Sequence, residues 1–157
     1  HSNENTVKGI EAAVERNAAV AETDVQRTAD GHYVINHDDD FSRCCGVDKK
    51  PSEMTLSEVK KLKVRDNVNP FNPPTEVPTM EEILDAANGR IELYIELKGE
   101  TADPQMVDDV YRMIRERDMQ DQTTFISLNY DLVDYAERTY PDVQTGYLCR
   151  TMRAIKK

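Results

Sequence analysis

The stretch that decides the expected fold is Ile-Glu-Leu-Tyr-Ile-Glu-Leu-Lys, residues 91–98. Apolar and polar side chains alternate strictly along it, which is typical of a β-strand with one buried face. Successive side chains of a strand point to opposite faces, so the apolar positions share one face and the polar positions share the other. Glu96 and Lys98 therefore lie on the same side, near the end of a predicted strand.

Helical and extended patterns alternate on both sides of this strand. Further extended segments are expected at Ala18–Val25, His32–His37, Thr123–Ser127 and Val143–Leu148. Helices are expected at Val7–Asn17, Pro104–Arg117 and Leu132–Arg138, where apolar residues recur at helical spacing. Such alternation is typical of a parallel sheet covered by helices. The sequence therefore predicts an α/β fold, either a β/α barrel or a doubly wound sheet.

Local signals predict shorter elements between these segments. Thr55 with Glu58, and Thr79 with Glu82, have the spacing of a capping box, which predicts a helix after each threonine. The stretch Arg65–Pro78 contains four prolines and cannot sustain a helix. We expect this stretch to form an irregular loop.

The composition restricts the possible functions. A chain of 157 residues with 38% hydrophobic content fits one domain. The formal net charge of -10 argues against a nucleic-acid-binding surface, which requires a basic stripe. No apolar run approaches the roughly 20 residues of a membrane-spanning helix. Cys44, Cys45 and Cys149 match neither a zinc site nor an even disulfide framework, so free thiols are expected.

Charged side chains gather at the expected strand ends. Glu22 and Asp24 lie near the end of the first predicted strand, and His37 closes the second. Glu96 and Lys98 close the strand described above. Because the carboxyl ends of parallel strands meet at one edge of a sheet, the pattern indicates a metal-assisted phosphate site. Taken alone, a carboxylate pair of this kind is more often a pair of solvated charges than a metal site, and a lone histidine is more often a turn residue than a catalyst.

Six short motifs occur in one order along the chain. They are Glu4-Asn5-Thr6, Glu22-Thr23-Asp24-Val25-Gln26, His37-Asp38-Asp39, Met54-Thr55-Leu56, Val77-Pro78-Thr79 and Ile95-Glu96-Leu97-Lys98. Together they resemble the glycerophosphodiester phosphodiesterases, and the resemblance runs from about Glu4 to Leu148. Glu4 and Asn5 are left out of catalysis, since a helix cap accounts for them.

The resemblance implies a TIM-type (β/α) barrel that hydrolyses small-molecule glycerophosphodiesters to sn-glycerol 3-phosphate and an alcohol, using Ca²⁺ or Mg²⁺. It assigns the metal ligands to Glu22, Asp24 and Glu96. It also assigns one catalytic histidine to His37 and a phosphate-facing lysine to Lys98. Carboxylate oxygens suit either cation, and an imidazole transfers protons readily near neutral pH.

Parts of the family pattern are not matched. The first strand of the family ends in His-Arg-Gly, whereas His1 precedes Glu4 by only three residues. The match of His1 to the other catalytic histidine is therefore doubtful, and the phosphate-binding arginine has no counterpart. A complete barrel takes about 250 residues and eight strands, and five strands are expected here. We therefore expect residues 1–157 to form a single domain that is a fragment of a larger barrel.

An incomplete barrel affects both association and activity. Open strand edges favour pairing with another chain, so self-association or residual disorder is expected. The alternative to a hydrolase is a catalytically silent domain. Such a domain would bind a cation or a phosphate ligand without turnover, because it would lack the family's first catalytic histidine and its phosphate-binding arginine.

Overall fold

The described part of the chain forms one β-sheet with helices packed against it. The computed structural model describes residues 5–66 and 69–149. Its strands are β1 (Val20–Arg27), β2 (Tyr33–Ile35), β3 (Glu92–Leu97), β4 (Thr123–Ser127) and β5 (Gln144–Tyr147). Its helices are α1 (Val7–Glu15), α2 (Ser42–Cys45), α3 (Leu56–Val59), α4 (Met80–Ala87), α5 (Pro104–Glu116) and α6 (Tyr130–Thr139). None of these helices combines the length and apolar character needed to cross a bilayer.

The sheet has the order β2-β1-β3-β4-β5. β1, β3, β4 and β5 are mutually parallel, and helices connect them, as the sequence predicted. All five predicted strands are present, but β2 runs antiparallel to β1 as the second strand of a hairpin and so departs from the predicted parallel sheet. Gly31, with a φ of 83°, permits the tight turn between them. Four parallel strands therefore form the barrel-like part of the described sheet.

The main core lies between one face of the sheet and the helices. Leu93 and Ile95 of β3 are fully buried against residues such as Ile83 of α4 and Ile114 of α5. Each such side chain stabilises the fold by about 1.5–3 kcal/mol relative to an exposed position. Because strand side chains alternate, the opposite face of the sheet carries the polar residues of β1 and β3.

The helix starts follow their capping residues. Thr79 Oγ1 accepts a hydrogen bond from the Glu82 backbone at 3.1 Å, and the Glu82 carboxylate accepts one from the Thr79 backbone at 3.3 Å. The same reciprocal pair forms at Thr55, so both predicted capping boxes are confirmed. α6 begins at Tyr130, two residues earlier than predicted, because Asn129 caps it.

Two strand boundaries differ from the prediction. β1 continues to Arg27 because that residue still pairs with Tyr33 of β2. β2 ends at Ile35 and does not reach His37. The buried side chain of Asn36 donates hydrogen bonds to the carbonyls of Asp38 and Asp40, which turns the chain away from the sheet.

A second apolar cluster supports the segment between β2 and α4. Phe41, Val59 and Val77 are almost fully buried in it, together with Val34 of β2. The described part of the loop that follows Val64 has neither helix nor strand, as the prolines predicted. This cluster anchors the segment that carries His37.

Candidate active site

Three carboxylates from two adjacent strands meet on the sheet face opposite the helices. Glu22 and Asp24 are two residues apart on β1, and Asp24 is in register with Glu96 on β3. Side chains at such positions point to the same face. One oxygen atom from each carboxylate lies within 4.8 Å of the other two. The register of β1 and β3 thus brings together three residues that are far apart in the sequence.

Asp24 is held by Asn5, which sequence reasoning left out of the site. Nδ2 of Asn5 donates a hydrogen bond to Oδ2 of Asp24 at 3.0 Å, and Oδ1 of Asn5 accepts one from the Asp24 backbone at 2.9 Å. Thr6 is the residue that caps α1, by accepting a hydrogen bond from Gly9. The sequence signal that could have found Asn5 is the Glu4-Asn5-Thr6 motif, because the family that the chain resembles places this motif on a loop bordering its active site.

Within residues 5–66 and 69–149, one oxygen of Asp24 has no hydrogen-bond donor. Asp24 is 2% exposed, and its Oδ1 accepts no hydrogen bond from the residues that the structure describes. The ammonium group of Lys98 lies 3.8 Å from this oxygen and 3.9 Å from Oε2 of Glu96, beyond hydrogen-bonding distance. A buried carboxylate oxygen without a partner costs free energy. The site therefore contains a buried acceptor that a cation would satisfy.

The carboxylates also repel one another. Burial raises the pKa of Glu96, and the negative charge of Asp24 raises it further, against an opposing effect of Lys98. Two like charges about 4 Å apart repel by about 4 kcal/mol at an effective dielectric constant near 20. Lys98 offers one positive charge against three carboxylates, and the donor atoms are all hard oxygens. The residues present therefore fit a divalent cation such as Ca²⁺ or Mg²⁺.

His37 lies in the loop that follows β2 and is not one of the three residues that converge. The backbone N–H of the preceding Asn36 donates to the Asp24 carbonyl at 3.0 Å, so the His37 backbone lies close to β1. The imidazole is 52% exposed, and its Nδ1 lies 2.9 Å from Oδ1 of Asp38. Contact with Asp38 at Nδ1 leaves Nε2 as the nitrogen available for proton transfer.

Polar contacts fix the segment around His37. Arg43 donates hydrogen bonds to both carboxylate oxygens of Asp38, at 2.7 and 3.1 Å. This guanidinium lowers the pKa of Asp38 to about 2, against the opposing effect of burial. Nε2 of Gln26 donates to the carbonyls of Asn36 and Asp38, each at 2.8 Å. Asp38 is therefore charged at neutral pH and held in place to orient the imidazole.

A small polar pocket lies near the end of β1. It has a volume of about 100 Å³ and is lined by Gln26, Asp39, Lys50, Ser52, Glu100 and Thr101. Gln26 follows Asp24 by two residues on the same face of β1. The pocket therefore lies on the side of the carboxyl ends of the strands, where barrel enzymes bind their substrates.

The structure brings four of the predicted site residues together. They are Glu22, Asp24, Glu96 and Lys98. His37 lies in the adjoining loop, and His1 lies outside the described residues. The parallel α/β sheet with an acidic cluster near its strand ends is the arrangement of a TIM-barrel type of protein.

The chain belongs to the glycerophosphoryl diester phosphodiesterase family, whose sequence profile matches residues 1–154. It is 27% identical over 147 residues to a glycerophosphodiester phosphodiesterase from Caldanaerobacter subterraneus subsp. tengcongensis. It is 29% identical over 147 residues to the protein YhdW from Bacillus subtilis. These alignments cover 92% and 94% of this chain, and 60% of each relative.

The fold agrees with this family assignment. The structure is similar to that of a glycerophosphodiester phosphodiesterase from Agrobacterium tumefaciens, with a TM-score of 0.79 and 26% identity. The similarity covers 92% of this chain and 60% of that one. The predicted TIM-type architecture and the predicted family are both confirmed. The chain spans about 60% of the length of the relatives it matches.

Proposed function

We propose that this protein hydrolyses glycerophosphodiesters to sn-glycerol 3-phosphate and an alcohol, with the help of a divalent cation. The observation that carries the proposal is the meeting of Glu22, Asp24 and Glu96 around a buried carboxylate oxygen that lacks a donor among the described residues. The relative from Caldanaerobacter, a glycerophosphodiester phosphodiesterase, supports the substrate class.

Glu22, Asp24 and Glu96 would hold the cation, which we take to be Ca²⁺ or Mg²⁺. Oxygen ligands of Ca²⁺ lie at about 2.3–2.6 Å, so one such ion can contact oxygens that are within 4.8 Å of one another. Mg²⁺ requires shorter distances, about 2.0–2.1 Å, and hence a closer approach of the three side chains. When bound, the cation supplies positive charge that polarises a phosphoryl oxygen.

Lys98 and His37 supply the remaining chemistry in this proposal. The ammonium group of Lys98, beside Asp24 and Glu96, offsets the negative charge on the phosphoryl oxygens. Water forms a new P–O bond and loses a proton to solvent as the P–O bond to the alcohol breaks, and His37, held at Nδ1 by Asp38, donates a proton from Nε2 to the departing alkoxide. Each group thus acts on a different atom of the phosphodiester.

The polar pocket suits the hydroxylated part of the substrate. The hydroxyls of Ser52 and Thr101 and the amide of Gln26 are among its lining groups, and all can bind alcohol groups. Lys50 and Glu100 in its wall form an ion pair at 3.6 Å. The charges in the wall partly balance, which suits an uncharged polyol such as glycerol.

We also propose that residues 1–157 form one domain of a larger barrel. β2 and β5 are the edges of the described sheet. Val20 and Tyr94, on the face that would line the barrel, are 40% and 37% exposed. Open edges and exposed apolar groups favour pairing with further strands or with a second copy. Sedimentation of the 157-residue chain tests this: association supports the proposal, whereas a monomer that melts sharply contradicts it.

The test of the hydrolase proposal is turnover of glycerophosphocholine by the full-length protein, with and without EDTA. We expect sn-glycerol 3-phosphate to be released, the release to stop with EDTA, and added Ca²⁺ or Mg²⁺ to restore it. Asp24→Asn should abolish both turnover and the rise in Tm with the cation. A rise in Tm without any turnover would instead support the silent binding domain.

A further inference from the structure

The two adjacent cysteines have no part in the proposed hydrolysis. Cys44 and Cys45 end the short helix α2, and their sulfur atoms lie 3.3 Å apart. Both residues are partly buried. Contact with Cys45 lowers the pKa of Cys44, whereas contact with Cys44 and burial raise the pKa of Cys45. The Cys44 sulfur therefore ionises more readily than the Cys45 sulfur. The two sulfur atoms are close enough to bind a single atom together.

Cys44 is connected to the segment that carries His37. Its thiol donates a hydrogen bond to Oδ1 of Asn36 at 3.1 Å. Asn36 is 6% exposed, and its Nδ2 donates to the carbonyls of Asp38 and Asp40 at 2.8 and 2.9 Å. The cysteine thus supports the asparagine that organises residues 36–40. A ligand bound to the Cys44 sulfur would remove this hydrogen bond.

Geometry disfavours a disulfide and a structural zinc site, the commonest products of a cysteine pair. Consecutive Cα atoms are about 3.8 Å apart across a trans peptide, whereas disulfides usually join Cα atoms about 4.4–6.8 Å apart. A disulfide between Cys44 and Cys45 would therefore be strained. Structural zinc takes four ligands, and within the described residues no third histidine, cysteine or carboxylate converges on these sulfurs.

We propose that Cys44 and Cys45 form a dithiol site for trivalent arsenic that carries one organic group. A single arsenic atom bonded to both sulfurs needs two protein ligands and does not require the sulfurs to reach disulfide distance. An organoarsonous acid has one carbon and two hydroxyl groups on arsenic. Two As–S bonds form, two As–O bonds break, and the thiol protons leave with the hydroxyl groups as two molecules of water. Arsenic stays trivalent, so no oxidant is needed.

Occupancy of the site would also perturb the His37 segment, because the Cys44 thiol can no longer donate to Asn36. This effect does not depend on the proposed hydrolysis. The effect is measured as a structural change in residues 36–40. The arsenical-binding proposal would therefore stand even if the phosphodiesterase proposal failed.

The test uses phenylarsonous acid with the full-length protein. We expect one adduct per chain in the intact mass, with loss of two titratable thiols, and displacement by a small dithiol but not by a monothiol. Because the second As–S bond forms within one molecule, Cys44→Ser and Cys45→Ser should each weaken binding by about 100-fold or more. Cys149→Ser, the matched control, should bind as the wild type does.

Nuclear magnetic resonance gives a second readout that does not require any variant to fold. The imidazole resonances of His37 and the amide resonances of residues 36–40 should shift when the arsenical binds, and those of His32 should not. Loss of only one thiol, or undiminished binding by Cys45→Ser, would overturn the dithiol site. Unchanged resonances of residues 36–40 in the saturated protein would overturn the connection to His37.

Discussion

The side chain of Asn5 holds Asp24 from two directions: it donates to Oδ2 of the carboxylate at 3.0 Å and accepts from the Asp24 backbone at 2.9 Å. The second carboxylate oxygen, Oδ1, is left without a donor among the described residues and lies in the acidic cluster. Asn5 therefore orients Asp24 so that one oxygen is available to a cation. Groups that orient metal ligands in this way commonly determine metal affinity.

Replacement of Asn5 by alanine should weaken cation binding. We expect the affinity for Ca²⁺ to fall by roughly 10–100-fold, as is usual when the partner of a ligand is removed. Isothermal titration of the purified protein measures this. The matched control is Asn17→Ala, since Asn17 has the same positive φ of 56° as Asn5 and is exposed at the end of α1. Equal affinities of the two variants would contradict the role of Asn5.

The pKa of Glu96 predicts how stability depends on pH when no cation is bound. A carboxyl group whose pKa is raised in the folded state holds its proton more tightly there than in the unfolded chain. Its contribution to stability is full below the ordinary value of 4.5 and is lost as the pH rises through the folded value. Cation-free wild type should therefore lose stability across this range, and Glu96→Gln should lose less.

Thermal melts from pH 4 to 8, with EDTA and with Ca²⁺, measure this effect. At neutral pH, Ca²⁺ should raise the Tm of the wild type and should have little effect on Glu96→Gln. Glu92→Gln is the control, because Glu92 is exposed on the same face of the same strand. Identical pH profiles for wild type and Glu96→Gln would show that this carboxylate does not limit the stability of the cation-free fold.

His37→Ala should reduce turnover and leave cation binding intact. Loss of a general acid typically lowers kcat by about 10²–10⁴-fold, and His37 is not one of the three converging residues. Steady-state kinetics with glycerophosphocholine, together with the Ca²⁺-dependent Tm, separate the two effects. His32→Ala, which changes an exposed histidine of the hairpin turn, should retain full activity. A comparable loss in both variants would count against His37 as the acid.

Gly99 should tolerate alanine less well than Gly31 does. Both glycines have positive φ, 78° and 83°, so both substitutions carry a backbone cost of roughly 1–2 kcal/mol. A Cβ at Gly99 would lie 3.0 Å from Oε1 of Gln26, whereas one at Gly31 meets nothing within 4 Å. Displacement of Gln26 would disturb its hydrogen bonds to the carbonyls of Asn36 and Asp38.

Urea denaturation should therefore show Gly99→Ala to be less stable than Gly31→Ala by about 1 kcal/mol, the usual contribution of a hydrogen bond. Because those hydrogen bonds support the His37 segment, turnover should also be lower in Gly99→Ala. Equal stability and activity would mean that Gln26 adjusts without loss.

Periodicity and capping chemistry predicted most of the regular elements. The alternation along residues 91–98 correctly predicted β3, and the two capping boxes correctly predicted the starts of α3 and α4. These signals are local, since they depend on residues within one or two turns of each other. The turn of the chain at Asn36 was missed because it depends on hydrogen bonds made by a buried side chain and by Gln26, ten residues away.

The sequence by itself determined that the chain is an α/β domain with acidic residues near its strand ends, because side-chain period and charge are properties of the chain alone. Only the tertiary structure decided that Asp24 stands in register with Glu96, that Asn5 orients it, and that His37 lies in a separate loop. These relations depend on strand register and on hydrogen bonds between segments distant in sequence. No local pattern of residues specifies them.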